Sequence, residues 1–138
     1  MKIYTTYLKK LPTSILPISI ATRSIPGWTG LVYKDLSPGW EIWSIGKNCG
    51  WESFKEAYTR DIIGKLDPHK VIKDLEKLSG GQDIALVCYE KPEDNCHRHL
   101  VADWLPIEVK EYEKKIDHHI VIFCCPIKIR TLTDRTKT

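Results

Sequence analysis

Apolar residues in this chain fall into short runs whose spacing alternates between strand-like and helix-like. Residues 2–7 alternate weakly and are β-prone, which predicts a first strand. Residues 15–21 are apolar and β-branched, a second and buried strand. Trp51, Phe54, Tyr58 and Ile62 recur at helical spacing within residues 51–65, with Glu56 and Arg60 placed as an i,i+4 pair. Asp67-Pro68 reads as an N-cap followed by proline at the first helical position. Val71, Ile72, Leu75 and Leu78 mark one face of that helix, and Ser79-Gly80-Gly81 ends it. Residues 84–88 form an uninterrupted apolar strand. Past a polar loop containing Pro92, Leu100, Val101, Trp104 and Leu105 return to helical spacing.

This βαβ rhythm predicts an α/β fold: one small domain with a mostly parallel, Rossmann-like sheet and flanking helices. The domain spans residues 1–130, and residues 131–138 are a polar, basic tail. Residues 31–50 read as a long packed loop with a turn at Pro38-Gly39, crowded by Tyr33, Trp40 and Trp43. Beyond Pro106, residues 108–115 alternate charges as a solvated helix or loop, and residues 118–125 have the pattern of a last strand.

Composition narrows the function classes. The chain has 138 residues, enough for one proper core, with 42% hydrophobic and 28% charged residues, as in ordinary soluble proteins. A net charge of +3 does not suit a protein that coats nucleic acid, so nucleic acid is not a favoured partner. No apolar run reaches membrane-spanning length and no signal peptide is evident, so a cytoplasmic location is expected. The five cysteines are not spaced as a secreted framework, and Cys124-Cys125 are adjacent; reduced thiols are the simpler account.

Candidate chemistry collects where the strand at 84–88 gives way to the next helix, with Cys96-His97-Arg98-His99 at the turn. Asn95 is a good N-cap residue, and a helix start attracts anions through its free N–H groups and dipole. Arg98 adds a charged fork suited to phosphate or carboxylate. Cys96 falls where dipole and arginine favour thiolate, and His97 can act as a base near neutral pH. If the strands at 15–21 and 84–88 are parallel neighbours, the loop carrying Arg23, Ser24 and Trp28 faces this turn across one cleft, with the Trp28 indole as a platform for a flat base. The blander readings are that Cys88 is buried filler, Trp28 plugs a gap, His99 is a solvated helix residue and Arg98 pairs with Asp94 or Glu93.

Other cradles do not fit. The histidines and cysteines include no C-x₂-C knuckle, so no metal is expected, and no cofactor is implied. Cys96 and Arg98 are too close in sequence to bracket a phosphatase loop, and no Gly-x-Gly-x-x-Gly or Walker-type loop is present.

The run from Cys88-Tyr89-Glu90-Lys91 through Cys96-His97-Arg98 to Leu105 resembles the signature of the domain-of-unknown-function 488 family: a Cys-x-Glu-Lys strand end, then Cys-His-Arg and a helix. Residues 2–7 resemble that family's first strand and Thr/Ser-containing turn, and residues 17–23 its second strand, where many members carry Asp-Val-Arg and only Arg23 stands here. The resemblance implies a small cytoplasmic α/β domain, common in bacteria and their mobile elements, with a return strand soon after the signature helix. It also brings Glu90, Thr5 and Thr6 in as ligand-binding candidates beside Arg98, Asn95, Arg23, Ser24 and Trp28. It fixes no activity.

Three functions remain. The favoured one is a module binding a phosphorylated small molecule, a nucleotide or nucleotide-derived signal, at the Cys96-His97-Arg98 helix start. The second is a hydrolase or transferase acting on nucleotides or nucleic acid, with Cys96 as nucleophile and His97 as base. The third is an interaction protein using its aromatic loop, with homo-oligomerisation through Trp40, Trp43 and Trp51.

Overall fold

A computed structural model describes residues 1–90 and 94–113 of the chain. The expected strand at 118–125 and tail at 131–138 lie outside the described residues, as do Pro92 and Glu93. The described chain forms one five-stranded sheet, every neighbouring pair parallel, flanked by four α-helices. The strands are β1 (Ile3–Tyr7), β2 (Leu16–Ser19), β3 (Leu31–Val32), β4 (Ile84–Cys88) and β5 (Val109–Glu111), in spatial order β3-β2-β4-β1-β5.

β4 lies between β2 and β1, and all five of its residues are buried. That is why its sequence is continuously apolar: a central parallel strand has no solvent face to alternate with. β1 runs beside it with Tyr7 opposite Cys88. On the other side Ser19 of β2 stands opposite Val87, and the Ile20 N–H continues the ladder to the Val87 carbonyl at 3.0 Å. The carboxyl ends of β2 and β4 are therefore level, and the chain leaving each emerges at the same edge.

The stretch expected to be a loop is a helix instead. After β3 and a 3₁₀ turn at Lys34–Leu36, α1 occupies Gly39–Cys49. Pro38-Gly39, expected to mark a turn, opens this helix instead; proline just ahead of the first turn gives up an N–H that would have had no partner anyway. Ile42 is the one buried residue of α1. So narrow an apolar stripe leaves no clear period in the sequence. Gly50, at φ 96°, separates α1 from α2 (Trp51–Asp61) in a conformation that a side chain would strain. A Cβ on Gly46 would sit 2.9 Å from Phe54, so this glycine lets α1 lie tight against α2.

The helix from Asp67 matches its signals. α3 (Pro68–Ser79) has Asp67 accepting from the His69 N–H and ends at left-handed Gly80. Arg60, by contrast, pairs with neighbouring Asp61 at 3.0 Å instead of Glu56, because the adjacent carboxylate meets its fork without reaching along the helix. α4 covers His97–Trp104 and is shorter than its apolar pattern, ending before Leu105. Residues 109–111, expected in a solvated helix or loop, are the edge strand β5 on β1; tertiary pairing with residues 3–5 overrides their charge-rich local pattern. This short strand is the return strand that the family resemblance led one to expect soon after the signature helix.

The core gathers Ile18, Ile20, Leu36, Tyr58, Leu75, Leu86 and Val101. A smaller apolar cluster of Ala21, Cys88 and Cys96 sits at the carboxyl end of the sheet. No helix among the described residues is long and apolar enough to cross a membrane.

Candidate functional site

The carboxyl ends of β2 and β4 open onto a cavity of about 440 Å³, within the usual range for small-molecule sites. Three parts of the chain build it. Residues 22–23 follow β2; Cys88, Tyr89 and Glu90 end β4, with Asn95, Cys96 and His97 starting α4; and Trp40, Trp43, Lys47, Trp51 and Phe54 come from α1 and α2. The walls are therefore aromatic, two cations, Arg23 and Lys47, lie among the lining residues, and the floor carries thiols, an imidazole and a carboxyl group.

The floor has a definite geometry. Cys96 occupies the N-cap position of α4 and makes no side-chain capping bond. Asn95, expected as the cap, is one residue earlier, exposed, and lines the cavity. His97 is buried, and its Nε2 lies 2.8 Å from the Ile20 carbonyl oxygen. A carbonyl can only accept, so Nε2 carries the proton and donates. Nδ1 is left facing the sulfurs of Cys88 and Cys96, each at 3.8 Å. The Cys88 Sγ also lies 3.5 Å from Glu90 Oε2.

Electrostatics separate the two thiols. Cys96 is held well below the usual thiol range, first by the neighbouring Cys88 thiol, then by the side chain of His97 and the Arg98 backbone N–H, against the opposing effect of burial. Cys88 is pushed well up, first by the facing Cys96 thiol and then by burial and the negative charge on Cys96. Glu90 is raised by burial and by the charge on Cys96. A thiol held low and a carboxyl group held high thus share one floor, and perturbed groups of this kind cluster at functional sites.

Several expected ligand contacts lie elsewhere. Arg98 does not reach the cavity. Its side chain is fully buried and forms a two-pronged bond to Glu111, Nε to Oε1 at 3.3 Å and Nη2 to Oε2 at 3.1 Å. The pairing with Asp94 or Glu93 weighed from the sequence therefore gives way to a partner on β5. Thr5 donates to the same Glu111 Oε1 at 2.7 Å, and Thr6 donates to the Lys10 carbonyl; both are buried in the sheet and turned to structural bonds. Trp28 donates from Nε1 to the Leu31 carbonyl at 3.0 Å and packs on Gly30, so its indole is held against its own loop. Ser24 is outside the lining; its carbonyl accepts from the Tyr89 hydroxyl at 3.0 Å. Arg23 is brought in, its guanidinium 4.8 Å over the Tyr89 ring.

Other residues were not singled out by sequence as site residues. Cys88 read as buried filler, yet its sulfur faces Cys96 and His97. Its place at the carboxyl end of a strand, in a Cys-x-Glu motif, was the available signal. Trp40, Trp43 and Trp51, read as an interaction patch, line the cavity, as does Lys47. Trp40 and Trp43 meet edge to face at 5.4 Å, while Trp51, Phe54 and Tyr58 stack in series and end against His97 at 5.5 Å. Among the described residues, Cys88, Cys96 and His97 place their three ligating atoms within 4.8 Å of one another, a cluster able to hold a metal ion that their sequence spacing did not suggest.

A family model described as "DUF488-N3a: Active DUF488-N3 subclade" matches residues 3–108, from the first residue of β1 to the residue before β5. No curated protein and no solved structure matches the chain.

Proposed function

The chain belongs to the DUF488 family, and on that premise we propose that its cavity takes a small planar ligand bearing an anionic group, of the nucleotide class. The observation that carries this is the pairing of aromatic walls with cations around one floor: Trp40, Trp43 and Trp51 line the walls, and Arg23 and Lys47, whose charged ends lie over the Tyr89 and Trp43 rings, supply positive charge. Stacking of a base on such a face contributes roughly 1–3 kcal/mol. The anion-binding role expected of Arg98 passes to Arg23, because Arg98 is committed to Glu111. Calorimetry with a nucleoside, the corresponding nucleoside mono- and diphosphates, and inorganic phosphate tests this. Nucleotides bind more tightly than either the nucleoside or phosphate, and Trp43→Ala and Arg23→Ala each weaken binding. Absence of heat with every nucleotide, or affinities that both variants leave unchanged, overturns it.

The lowered Cys96 thiol favours a second reading, a cysteine-dependent enzyme acting on that ligand. The Cys96 sulfur would form a bond to an electrophilic carbon as the bond to the leaving group breaks, with the Glu90 carboxyl group, whose pKa burial raises, supplying the leaving group's proton. Water would then displace the sulfur, Glu90 taking its proton back and Cys96 leaving as thiolate. Loss of turnover in Cys96→Ser with binding retained is the expected result; turnover that survives removes Cys96 as nucleophile.

A further inference from the structure

We propose that Cys88 Sγ, Cys96 Sγ and His97 Nδ1 together bind one thiophilic divalent cation, Zn²⁺ by their chemistry, on the floor of the cavity. This goes beyond ligand binding and does not depend on it.

Donor type comes first. Two thiolates and one neutral imidazole are the ligands zinc prefers, and three protein ligands with one open position is the arrangement of its reactive sites. Spacing comes next. Zinc–sulfur and zinc–nitrogen bonds of about 2.3 and 2.0–2.1 Å at a tetrahedral angle place sulfur and nitrogen about 3.6 Å apart. Both sulfurs stand 3.8 Å from Nδ1, and all three atoms lie within 4.8 Å of one another. The nitrogen–sulfur spacings match to a few tenths of an ångström. The widest separation in the cluster, up to 4.8 Å, closes by up to about 1 Å of side-chain movement to the roughly 3.8 Å between two zinc-bound sulfurs.

The support behind the ligands is in place as well. A metal-binding histidine ordinarily donates its other ring N–H to a carbonyl or carboxylate, which fixes tautomer and ring orientation. His97 does this toward Ile20 at 2.8 Å and so offers Nδ1 to the sulfurs. The ligands come from a strand end and a helix start, two rigid elements, and all three are buried. All three also line the cavity, so the fourth position opens toward it. Glu90 lines the same cavity, its Oε2 3.5 Å from Cys88 Sγ.

Cobalt is the spectroscopic probe. The full chain, reduced and stripped with chelator, is titrated anaerobically with Co²⁺ and back-titrated with Zn²⁺. Expected are one equivalent bound, a sulfur-to-cobalt charge-transfer absorption with intense tetrahedral bands, and displacement by zinc. Cys88→Ser, Cys96→Ser and His97→Ala each weaken binding by more than the roughly 10–100-fold that loss of a supporting group costs. A chain carrying Cys49→Ser, Cys124→Ser and Cys125→Ser binds as wild type. Circular dichroism identifies which single variants are folded, and either serine variant suffices for the comparison. Reduced wild type without the charge-transfer band overturns the site, as does binding that survives Cys88→Ser/Cys96→Ser. Alkylation separates this from a free Cys96 nucleophile: zinc protects Cys96 from iodoacetamide if it is a ligand, and equal labelling with and without zinc overturns the proposal. Failure here leaves the nucleotide calorimetry to be judged by itself.

Discussion

His97 donates from Nε2 to the Ile20 carbonyl oxygen across 2.8 Å, joining the first residue of α4 to the chain just past β2. The bond links two segments 77 residues apart and sets the ring so that its other nitrogen meets both floor thiols. Replacement by phenylalanine keeps the ring and removes the donor. A buried carbonyl without a partner costs about 1–3 kcal/mol. His97→Phe should therefore lower the urea midpoint without changing the slope of the transition, and an unaltered midpoint would mean the bond contributes nothing net.

Arg98 should prove to be a residue of stability rather than of recognition. Its charge is fully buried against Glu111, whose side chain is 23% exposed. Removing one partner of a buried pair costs about 3–5 kcal/mol, and solvent at Glu111 places this pair near the lower end, roughly 3 kcal/mol. Arg98→Met is expected to lose that much in chemical unfolding while the folded fraction keeps its nucleotide affinity. The opposite split, stable protein with lost affinity, would return Arg98 to the site.

In reduced, metal-free protein the two floor cysteines should differ sharply toward alkylation. The facing Cys88 thiol and the neighbouring His97 hold Cys96 well below the usual thiol range, while Cys88 is held above it. A lowered value means that thiolate persists to lower pH than in an ordinary cysteine. An ordinary thiol loses rate about tenfold per pH unit below roughly 8.5. Cys96 should lose its iodoacetamide rate at lower pH than an ordinary thiol and be labelled before Cys88 in peptide mass spectra. Labelling in the reverse order would contradict the assignment.

The Tyr33 hydroxyl donates to Asp74 Oδ2 at 2.8 Å, and Lys70 lies 3.1 Å from the same oxygen. These contacts, the tyrosine bond first, lower the Asp74 carboxyl from its usual range. A carboxyl whose folded value is depressed favours folding above its unfolded value, about 3.9, and loses that contribution as pH falls through the folded value. The stability advantage of wild type over Tyr33→Phe should be full near neutral pH and shrink on acidification below about pH 4. A difference independent of pH would show that packing, not the charged bond, carries it.

Local pattern was a sound guide wherever burial was one-sided or complete. Continuous apolar character made β4 legible, and Asp67-Pro68 with Gly80 bounded α3, because those signals are set by the backbone's own needs. α1 was not legible, since one buried residue gives no period. β5 was not, since its pairing with β1 is a contact between residues over a hundred positions apart.

By itself the sequence determined the parallel α/β plan and the concentration of chemistry at the strand-to-helix turn of residues 88–97, because strand ends and helix starts are written in neighbouring residues. Only the tertiary structure decided which side chains meet there. It turned Arg98 inward to Glu111, drew Cys88 up to Cys96 and His97, and carried Trp40, Trp43 and Trp51 to the cavity wall. Side-chain direction depends on which partners the folded chain brings within reach, and a linear pattern of hydrophobic and polar positions does not contain that.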